Sequence, residues 1–147
     1  MNDVELSQYI TNTFKGTDVE HSDYGYFFFY NPDPNVPPDH MFPIMTIVNN
    51  DLNDTFSDLE KRNLYRLNIG VGKATFRSLF GEPDDGKSFS GHDYTALDVL
   101  MPHPVYAAQY WVSVINPSDN VFKSKVKPLM DEAYNMAVTK YDKKAKN

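Results

Sequence analysis

Residues 65–71, YRLNIGV, constrain the fold most strongly, because large apolar side chains alternate with polar or small ones without a break. This alternation is the period of a β-strand, in which successive side chains point to opposite faces of a sheet. One face of the strand is apolar and carries Tyr65, Leu67, Ile69 and Val71. The opposite face carries Arg66 and Asn68. We therefore predict a strand that closes a core with one face and presents a guanidinium and an amide on the other.

The rest of the chain predicts a single α+β domain over residues 1–147, with an antiparallel sheet of about five strands and helices packed on one face. The predicted strands are a hairpin that turns between Ser22 and Gly25, followed by strands over 44–50, 64–71 and 108–117. The predicted helices cover 3–15, 73–80, 94–102 and 121–141, with one further helical turn after Ser57. Proline-rich and polar runs over 31–43 and 81–93 are predicted to be loops.

The composition excludes several classes of protein. A net charge of −6 argues against non-specific binding to nucleic acid, whose phosphate backbone attracts basic surfaces. The chain has no cysteine, which rules out disulfides and thiolate metal sites. No run approaches the roughly 20 apolar residues that a membrane helix needs, and the amino terminus lacks the pattern of a signal peptide. We therefore expect a cytoplasmic protein that works without contact with a membrane.

The sequence GVGK at 70–73 lies between a predicted strand and a predicted helix, which is the position of nucleotide-binding loops. A Walker loop is excluded, because Leu67 stands where its first glycine should be and Ala74 where a Ser or Thr should bind Mg²⁺. A dinucleotide-binding loop is excluded because its third glycine is missing. We interpret the segment as a tight turn into a helix. The alternative is that the first N–H groups of the helix bind an anion together with Lys73.

Residue types used in catalysis and metal binding are present, but not in diagnostic patterns. His92 and His103, with Asp93 and Asp98 between them, lack the spacing of ligands on one helix or hairpin. The chain has no Gly-x-Ser-x-Gly motif and no cysteine nucleophile. We therefore expect no metal and no cofactor, and we assign no catalytic residue.

The second face of the predicted sheet combines aromatic rings with polar groups. Trp111 and Ser113 share one face of their strand, and Arg66 and Asn68 share the polar face of theirs. Such a face is not simply a solvated surface. Three explanations are open: a loop covers it, a second copy of the chain buries it, or a small ligand stacks on it. We favour a cover or a homodimer, because exposed aromatic area is more often shielded than catalytic.

The segment 101–111, MPHPVYAAQYW, contributes further candidates. Pro102 and Pro104 flank His103 and predict an extended approach to the next strand. His103 titrates near neutral pH if it borders a cleft, whereas the alternative is a loop histidine satisfied by the backbone or by water. The candidate ligand-binding residues are Arg66, Asn68, Lys73, His103, Tyr106 and Trp111.

Two segments, 66–81 and 100–118, closely resemble a bacterial family known only as a domain of unknown function, and the likeness runs through almost the whole chain. More distantly, the last third is similar to the MmcQ/YjbR-like proteins. The residues that carry this likeness are Pro104-Val105-Tyr106, Trp111, Val114, Ala133-Tyr134 and Val138. The resemblance implies a double-wing α+β fold, similar in outline to the frataxin-like sandwich, and DNA binding for some relatives. The interval between Tyr106 and Trp111 is shorter here, so the connecting turn differs.

These observations lead to three functional hypotheses. The first is a non-enzymatic interaction domain that docks a partner or a second copy through the face of Arg66, Asn68 and Trp111. The alternative is a small-molecule-binding protein or enzyme in which Arg66 and His103 surround a small anionic ligand. DNA binding is the third hypothesis, and the net charge of −6 without a basic stripe disfavours it.

Overall fold

The computed structural model describes residues 1–33, 35, 42–83 and 92–145, and within them six strands form one antiparallel sheet. The strands are β1 (Thr17–Ser22), β2 (Gly25–Tyr30), β3 (Met45–Val48), β4 (Arg66–Gly70), β5 (Met101–Pro102) and β6 (Trp111–Ile115). Their spatial order is β1-β2-β3-β4-β6-β5, so β4 lies between β3 and β6. The α+β class and the antiparallel sheet are confirmed. The strand count is six within the described residues instead of about five, because the two-residue β5 adds an edge.

The described helices are α1 (Asp3–Thr13), α2 (Leu59–Arg62), α3 (Lys73–Phe80), α4 (Asp119–Val121) and α5 (Lys127–Ala145). A π-helical turn, Phe122–Val126, joins α4 to α5, so these segments run on as one helix. Helix α1 begins at a capping box: the Asn2 side chain accepts from the Glu5 N–H over 2.8 Å, and the Glu5 carboxylate accepts from the Asn2 N–H over 3.1 Å.

The main core lies between one face of the sheet and helices α1, α3 and α5. Leu67 and Ile69 of β4 point into this core and are 0% and 1% exposed. They meet Leu6 and Ile10 of α1 and Phe76 of α3 in the same buried cluster. Fully burying a side chain of this size stabilises a fold by roughly 1.5–3 kcal/mol. The alternation in β4 therefore determines which face of the sheet turns inward.

A smaller apolar cluster covers part of the opposite face of the sheet, which we call the second face. Val48 of β3, Met101 of β5 and Ile115 of β6 pack there against Leu59 of α2. The prediction that the helices lie on one face is therefore corrected for α2, because Leu59 is buried against the second face. The part of the second face beside this cluster is left open as a cavity.

The predicted helix over 94–102 is wrong. Residues 94–99 form turns and bends, and Met101–Pro102 is strand β5. Asp98 has a φ of +62°, which a right-handed helix does not allow, and its N–H donates to the Ile115 carbonyl over 2.9 Å. The apolar residues of this segment do not form a buried helical stripe, since Leu97 and Val99 are each 48% exposed.

The last helix begins at Asp119, two residues earlier than predicted, and the Ser118 hydroxyl caps it by accepting from the Val121 N–H over 3.2 Å. Pro128 is therefore inside the helix and not at its start. It directly follows the π-helical turn, where the hydrogen-bond pattern changes back to that of an α-helix. This change of pattern accommodates a residue without an N–H.

Two predicted loops, over 31–43 and 81–93, lie in part outside the described residues. The predicted hairpin is confirmed, with Ser22 paired to Gly25 at its turn. Among the described residues, no helix combines the length and the apolar character that crossing a membrane requires.

Candidate functional site

A cavity of about 730 Å³ opens on the second face of the sheet. Strands β3 and β4 form its floor with Thr46, Arg66 and Asn68. Its walls come from residues 42–43, 53–54 and 103–111, and Lys140 of α5 also lines it. The volume lies within the range of roughly 300–1,000 Å³ that is typical of small-molecule pockets.

Strand register brings the floor residues together. In the antiparallel pairing, Asn68 lies opposite Thr46 on β3 and opposite Ser113 on β6. The Asn68 Nδ2 donates to Thr46 Oγ1 over 3.0 Å, and the Asn68 Oδ1 accepts from the Ser113 hydroxyl over 2.7 Å. Asn68 is 1% exposed, so hydrogen bonds to both neighbouring strands hold its amide in one orientation.

Arg66 lies on the same face of β4 and is 1% exposed. Its guanidinium forms a two-pronged contact with Asp54, Nη1 donating to Oδ1 over 3.1 Å and Nη2 to Oδ2 over 2.7 Å. Nη1 also donates to the Ser57 hydroxyl over 2.9 Å, and Nε donates to Asn68 Oδ1 over 3.0 Å. A buried charge is tolerated only when it is paired and hydrogen-bonded, and Asp54 supplies that pair.

The Arg66–Asp54 contact sets the charge at the floor. Burial raises the pKa of the Asp54 carboxyl, but the hydrogen bonds and positive charge of Arg66 outweigh burial. The pKa of Asp54 is therefore below its ordinary value, and the carboxylate is charged at neutral pH. The pair carries no net charge. The sequence predicts that the Arg66 guanidinium is available to a bound anion. In the folded chain, the Asp54 carboxylate already pairs with this guanidinium.

His103 is 5% exposed and lies in the wall of the cavity. Its Nδ1 accepts from the backbone N–H groups of Val105 and Tyr106, each over 3.0 Å. Burial lowers the pKa of His103 to about 3, helped by the Arg66 charge and opposed by Asp54. Of the two alternatives for His103, the structure favours the loop histidine satisfied by the backbone, because two backbone N–H groups donate to Nδ1. The ring is neutral, and its proton is on Nε2 because Nδ1 is an acceptor.

Three rings form an aromatic wall beside the floor. The His103 ring centroid lies 5.0 Å from that of Tyr106 and 6.5 Å from that of Trp111. Trp111 pairs with Gly70 across β6 and β4, and a Cβ at position 70 would lie 3.1 Å from the indole Cε2. The absence of a side chain at Gly70 is therefore what allows the indole to lie against β4.

The exposed side chains that line the cavity are both apolar and polar, since the amides of Asn53 and Gln109 are exposed beside the apolar groups. Phe42 is 89% exposed, Val105 is 48% exposed and Tyr106 is 54% exposed. Lys140 is exposed as well and lies among the lining residues. Within the described residues, Arg66 and Lys140 are the lining cations and Asp54 is the lining anion, which gives the lining a formal charge of 2 − 1 = +1.

The structure brings five of the six candidate residues from the sequence to this cavity: Arg66, Asn68, His103, Tyr106 and Trp111. Lys73 does not line it and is exposed at the start of α3.

The Gly72 N–H at this helix start donates to Glu132 Oε2 over 2.8 Å, and the Thr75 hydroxyl donates to Glu132 Oε1 over 2.5 Å. A carboxylate of the chain itself therefore occupies the position that was predicted, as an alternative, for a bound anion.

Sequence reasoning missed Asp54, Ser57 and Lys140. Asp54 and Ser57 belong to a polar segment without periodicity, so no local pattern shows that they turn inward. A buried arginine does require an acidic partner, and that requirement predicts a carboxylate without saying which one. Lys140 lies near the end of α5, which only the tertiary fold brings to the cavity.

A family model described as "Family of unknown function (DUF6194)" matches residues 1–146 of the chain. The chain matches no curated protein and no solved structure. The family match covers every strand and helix given above, so the cavity is part of the family's domain. Among the described residues, no three His, Asp or Glu side chains lie together as metal ligands would.

Proposed function

The chain belongs to the DUF6194 family, and we propose that it is a non-enzymatic binding protein that holds a small molecule in the cavity on its second face. One observation carries the proposal. Arg66, Asn68 and His103 are at most 5% exposed, yet each has an N–H group with no partner among the described residues. Because these groups line a cavity that is open to water, a ligand with suitably placed acceptor atoms takes the place of water and pairs these donors.

The arrangement is organised before any ligand arrives. Asn68 is held by Thr46 and Ser113, and Arg66 is held by Asp54 and Ser57. Side chains that are already ordered lose little conformational entropy when a ligand binds. This supports binding by a largely preformed site.

The same contacts support binding over acid–base catalysis. A general base works best when its pKa is near the working pH. The pKa of His103 is lowered to about 3, and its Nδ1 is already engaged by two backbone N–H groups. The carboxylate of Asp54 is engaged by Arg66. Neither group is suited to take a proton from a substrate at neutral pH.

Trp111 gives a direct test, because it is the only tryptophan of the chain and lines the cavity. We expect compounds that bind to change its fluorescence and to raise the unfolding temperature. Tyr106→Ala, which removes part of the aromatic wall, should weaken binding, whereas Lys73→Ala should leave it unchanged. A diverse library that produces no saturable change in Trp111 emission would contradict the proposal.

The second candidate function is docking of a partner, or of a second copy, over the same face. The exposed rings of Phe42 and Tyr106 and the exposed side chain of Val105 favour it, since exposed apolar and aromatic side chains that lie together are typical of the centre of an interface. Light scattering after size exclusion tests the homodimer. Tyr106→Glu should convert a dimer into a monomer, and a wild-type monomer at high concentration would remove this candidate.

Two further ideas from the resemblance remain proposals. The double-wing architecture is supported by the order of β6, with Trp111, and the last helix, with Tyr134. Superposition on a solved double-wing protein tests it. DNA binding is disfavoured by the net charge of −6, and a gel shift at low salt without a complex would exclude it.

A further inference from the structure

Three side chains at the floor and in the wall keep N–H donors that have no partner among the described residues, and the Thr46 hydroxyl can both donate and accept. Arg66 makes four hydrogen bonds with its five N–H groups, and one N–H of Nη2 has no partner among the described residues. Asn68 Nδ2 donates once and has a second N–H, and His103 carries an N–H on Nε2. The ligand must therefore supply acceptor atoms at the floor.

The main acceptors of the same groups are already occupied. Asn68 Oδ1 accepts from Arg66 and from Ser113, at 3.0 and 2.7 Å. His103 Nδ1 accepts two backbone N–H groups, and both oxygens of Asp54 accept from Arg66. Among the described residues, Asp54 Oδ2 and Thr46 Oγ1 each accept one hydrogen bond and can accept one more. A ligand donor or cation therefore meets fewer open partners at this floor than a ligand acceptor does.

The charge balance decides between a neutral acceptor and an anion. Arg66 is compensated by Asp54 at 2.7 Å, and the His103 ring is uncharged. A carboxylate placed on the floor would lose its hydration without meeting an uncompensated positive charge, and it would lie near the Asp54 carboxylate. A carbonyl oxygen accepts the same donors and has a much smaller cost of leaving water.

The wall indicates the shape of the ligand. Tyr106 and Trp111 each lie within 6.5 Å of the His103 ring, centroid to centroid, and leave a cavity with aromatic walls over a polar floor. Flat aromatic groups pack well against such rings in offset-stacked or edge-to-face geometry.

We propose that the ligand is an uncharged aromatic compound with an amide or lactam carbonyl, whose oxygen accepts from Arg66, Asn68 and His103 while its ring lies against Trp111. This inference rests on the proposed small-molecule function and replaces the anionic ligand that the sequence suggests. Lys140 also lines the cavity, and it forms none of the contacts that hold Arg66, Asn68 and His103.

The test uses three probes of one shape: naphthalene carboxamide, naphthalene carboxylate and naphthalene carboxamidine, which are neutral, anionic and cationic. The readout is the indole N–H signal of Trp111 in a two-dimensional nitrogen–proton NMR titration of the full chain. We expect the carboxamide to bind at least about tenfold more tightly than either charged probe. Equal or tighter binding of the carboxylate would overturn the ligand class while leaving small-molecule binding supported. No response to any probe would count against both.

A charge variant sharpens the test. Asp54→Asn leaves Arg66 uncompensated, so the carboxylate should gain affinity relative to the carboxamide by about tenfold. The matched control is Glu82→Gln, which breaks the exposed ion pair with Arg77 and should change neither affinity. An unchanged preference in folded Asp54→Asn would contradict the role of the pair. If this variant does not fold, the preference of the wild-type chain among the three probes decides the question.

Discussion

The guanidinium of Arg66 meets the carboxylate of Asp54 through hydrogen bonds of 3.1 and 2.7 Å, although the two residues are 12 positions apart in the chain. The contact ties the irregular segment before α2 to the centre of the sheet. It also compensates the positive charge of Arg66 that the sequence predicts to be available to a ligand. The stability of the second face, and the ligand selectivity that we propose for it, therefore depend on one ion pair.

The first prediction concerns this pair. Asp54→Ala should reduce the free energy of unfolding by about 3–5 kcal/mol, because it leaves the charge of Arg66 buried without a partner. Adding Arg66→Met should recover part of the loss, which denaturant unfolding of the single and double variants can measure. Glu82→Ala, at the exposed Arg77–Glu82 pair, should cost about 0.2–1 kcal/mol or less. A double variant less stable than Asp54→Ala would contradict the prediction.

The second prediction is a dependence of stability on pH that comes from His103. Its pKa is lowered from 6.5 to about 3 in the folded chain, so the unfolded chain binds the proton first as the pH falls. The stabilisation is fully present above pH 6.5 and is lost progressively down to about pH 3, with a slope of up to about 1.4 kcal/mol per pH unit.

His103→Asn tests this dependence, because an Asn Oδ1 can replace Nδ1 as the acceptor and does not titrate. The variant should have a flatter stability profile between pH 4 and pH 6, whereas His21→Asn, at an exposed histidine, should keep the wild-type profile. Equal slopes for the wild type and His103→Asn would show that His103 is not the source.

The third prediction concerns the contact of Gly70 with Trp111. A Cβ at position 70 would lie 3.1 and 3.2 Å from two indole carbons, so Gly70→Ala must move the ring by a few tenths of an ångström. We expect a cost at or below the lower end of the roughly 1–3 kcal/mol that overpacking of a core costs, because the ring borders the cavity. The emission of Trp111 should shift as well. Gly72→Ala is the matched control, since its Cβ would meet Glu132 at an ordinary 3.5 Å and should leave the emission unchanged. Identical emission from Gly70→Ala and the wild type would contradict the packing.

The fourth prediction concerns the start of α3. Glu132→Ala removes the acceptor for the Gly72 N–H and the Thr75 hydroxyl, and should destabilise the chain by about 0.5–2 kcal/mol, as the loss of a helix cap does. Thermal and denaturant unfolding measure the effect. Glu60→Ala, at an exposed glutamate on α2, should have little effect. A loss of equal size in both variants would argue against the capping role.

The local sequence pattern predicted β4, both of its faces and the β1–β2 hairpin. Alternation of apolar and polar residues and the residue types that favour turns can both be read from residues that are neighbours in the chain. It failed at Met101–Pro102, which is too short to show a period and is a strand only because β6 pairs with it. It failed over 94–99 because the backbone hydrogen bond of Asp98 to Ile115 is a tertiary contact.

The candidate residues reached one cavity because the strand register aligns Arg66, Asn68 and Trp111 on one face. Their electrostatic state could not be predicted from the sequence, because it depends on which carboxylate folds against Arg66 and on how deeply His103 is buried. Whether these residues bind a ligand stays a prediction.

The strand order has a consequence for self-association. Strand β1, at one edge, exposes Asp18 and Glu20, and β5, at the other edge, is two residues long and contains Pro102, which has no N–H to offer. Neither edge strand therefore favours pairing with a strand of a second chain. A second copy that docks on the second face, as the second candidate function proposes, would cover the cavity in which we propose that a small molecule binds. Dimer and ligand would then exclude each other, and titrating one should release the other.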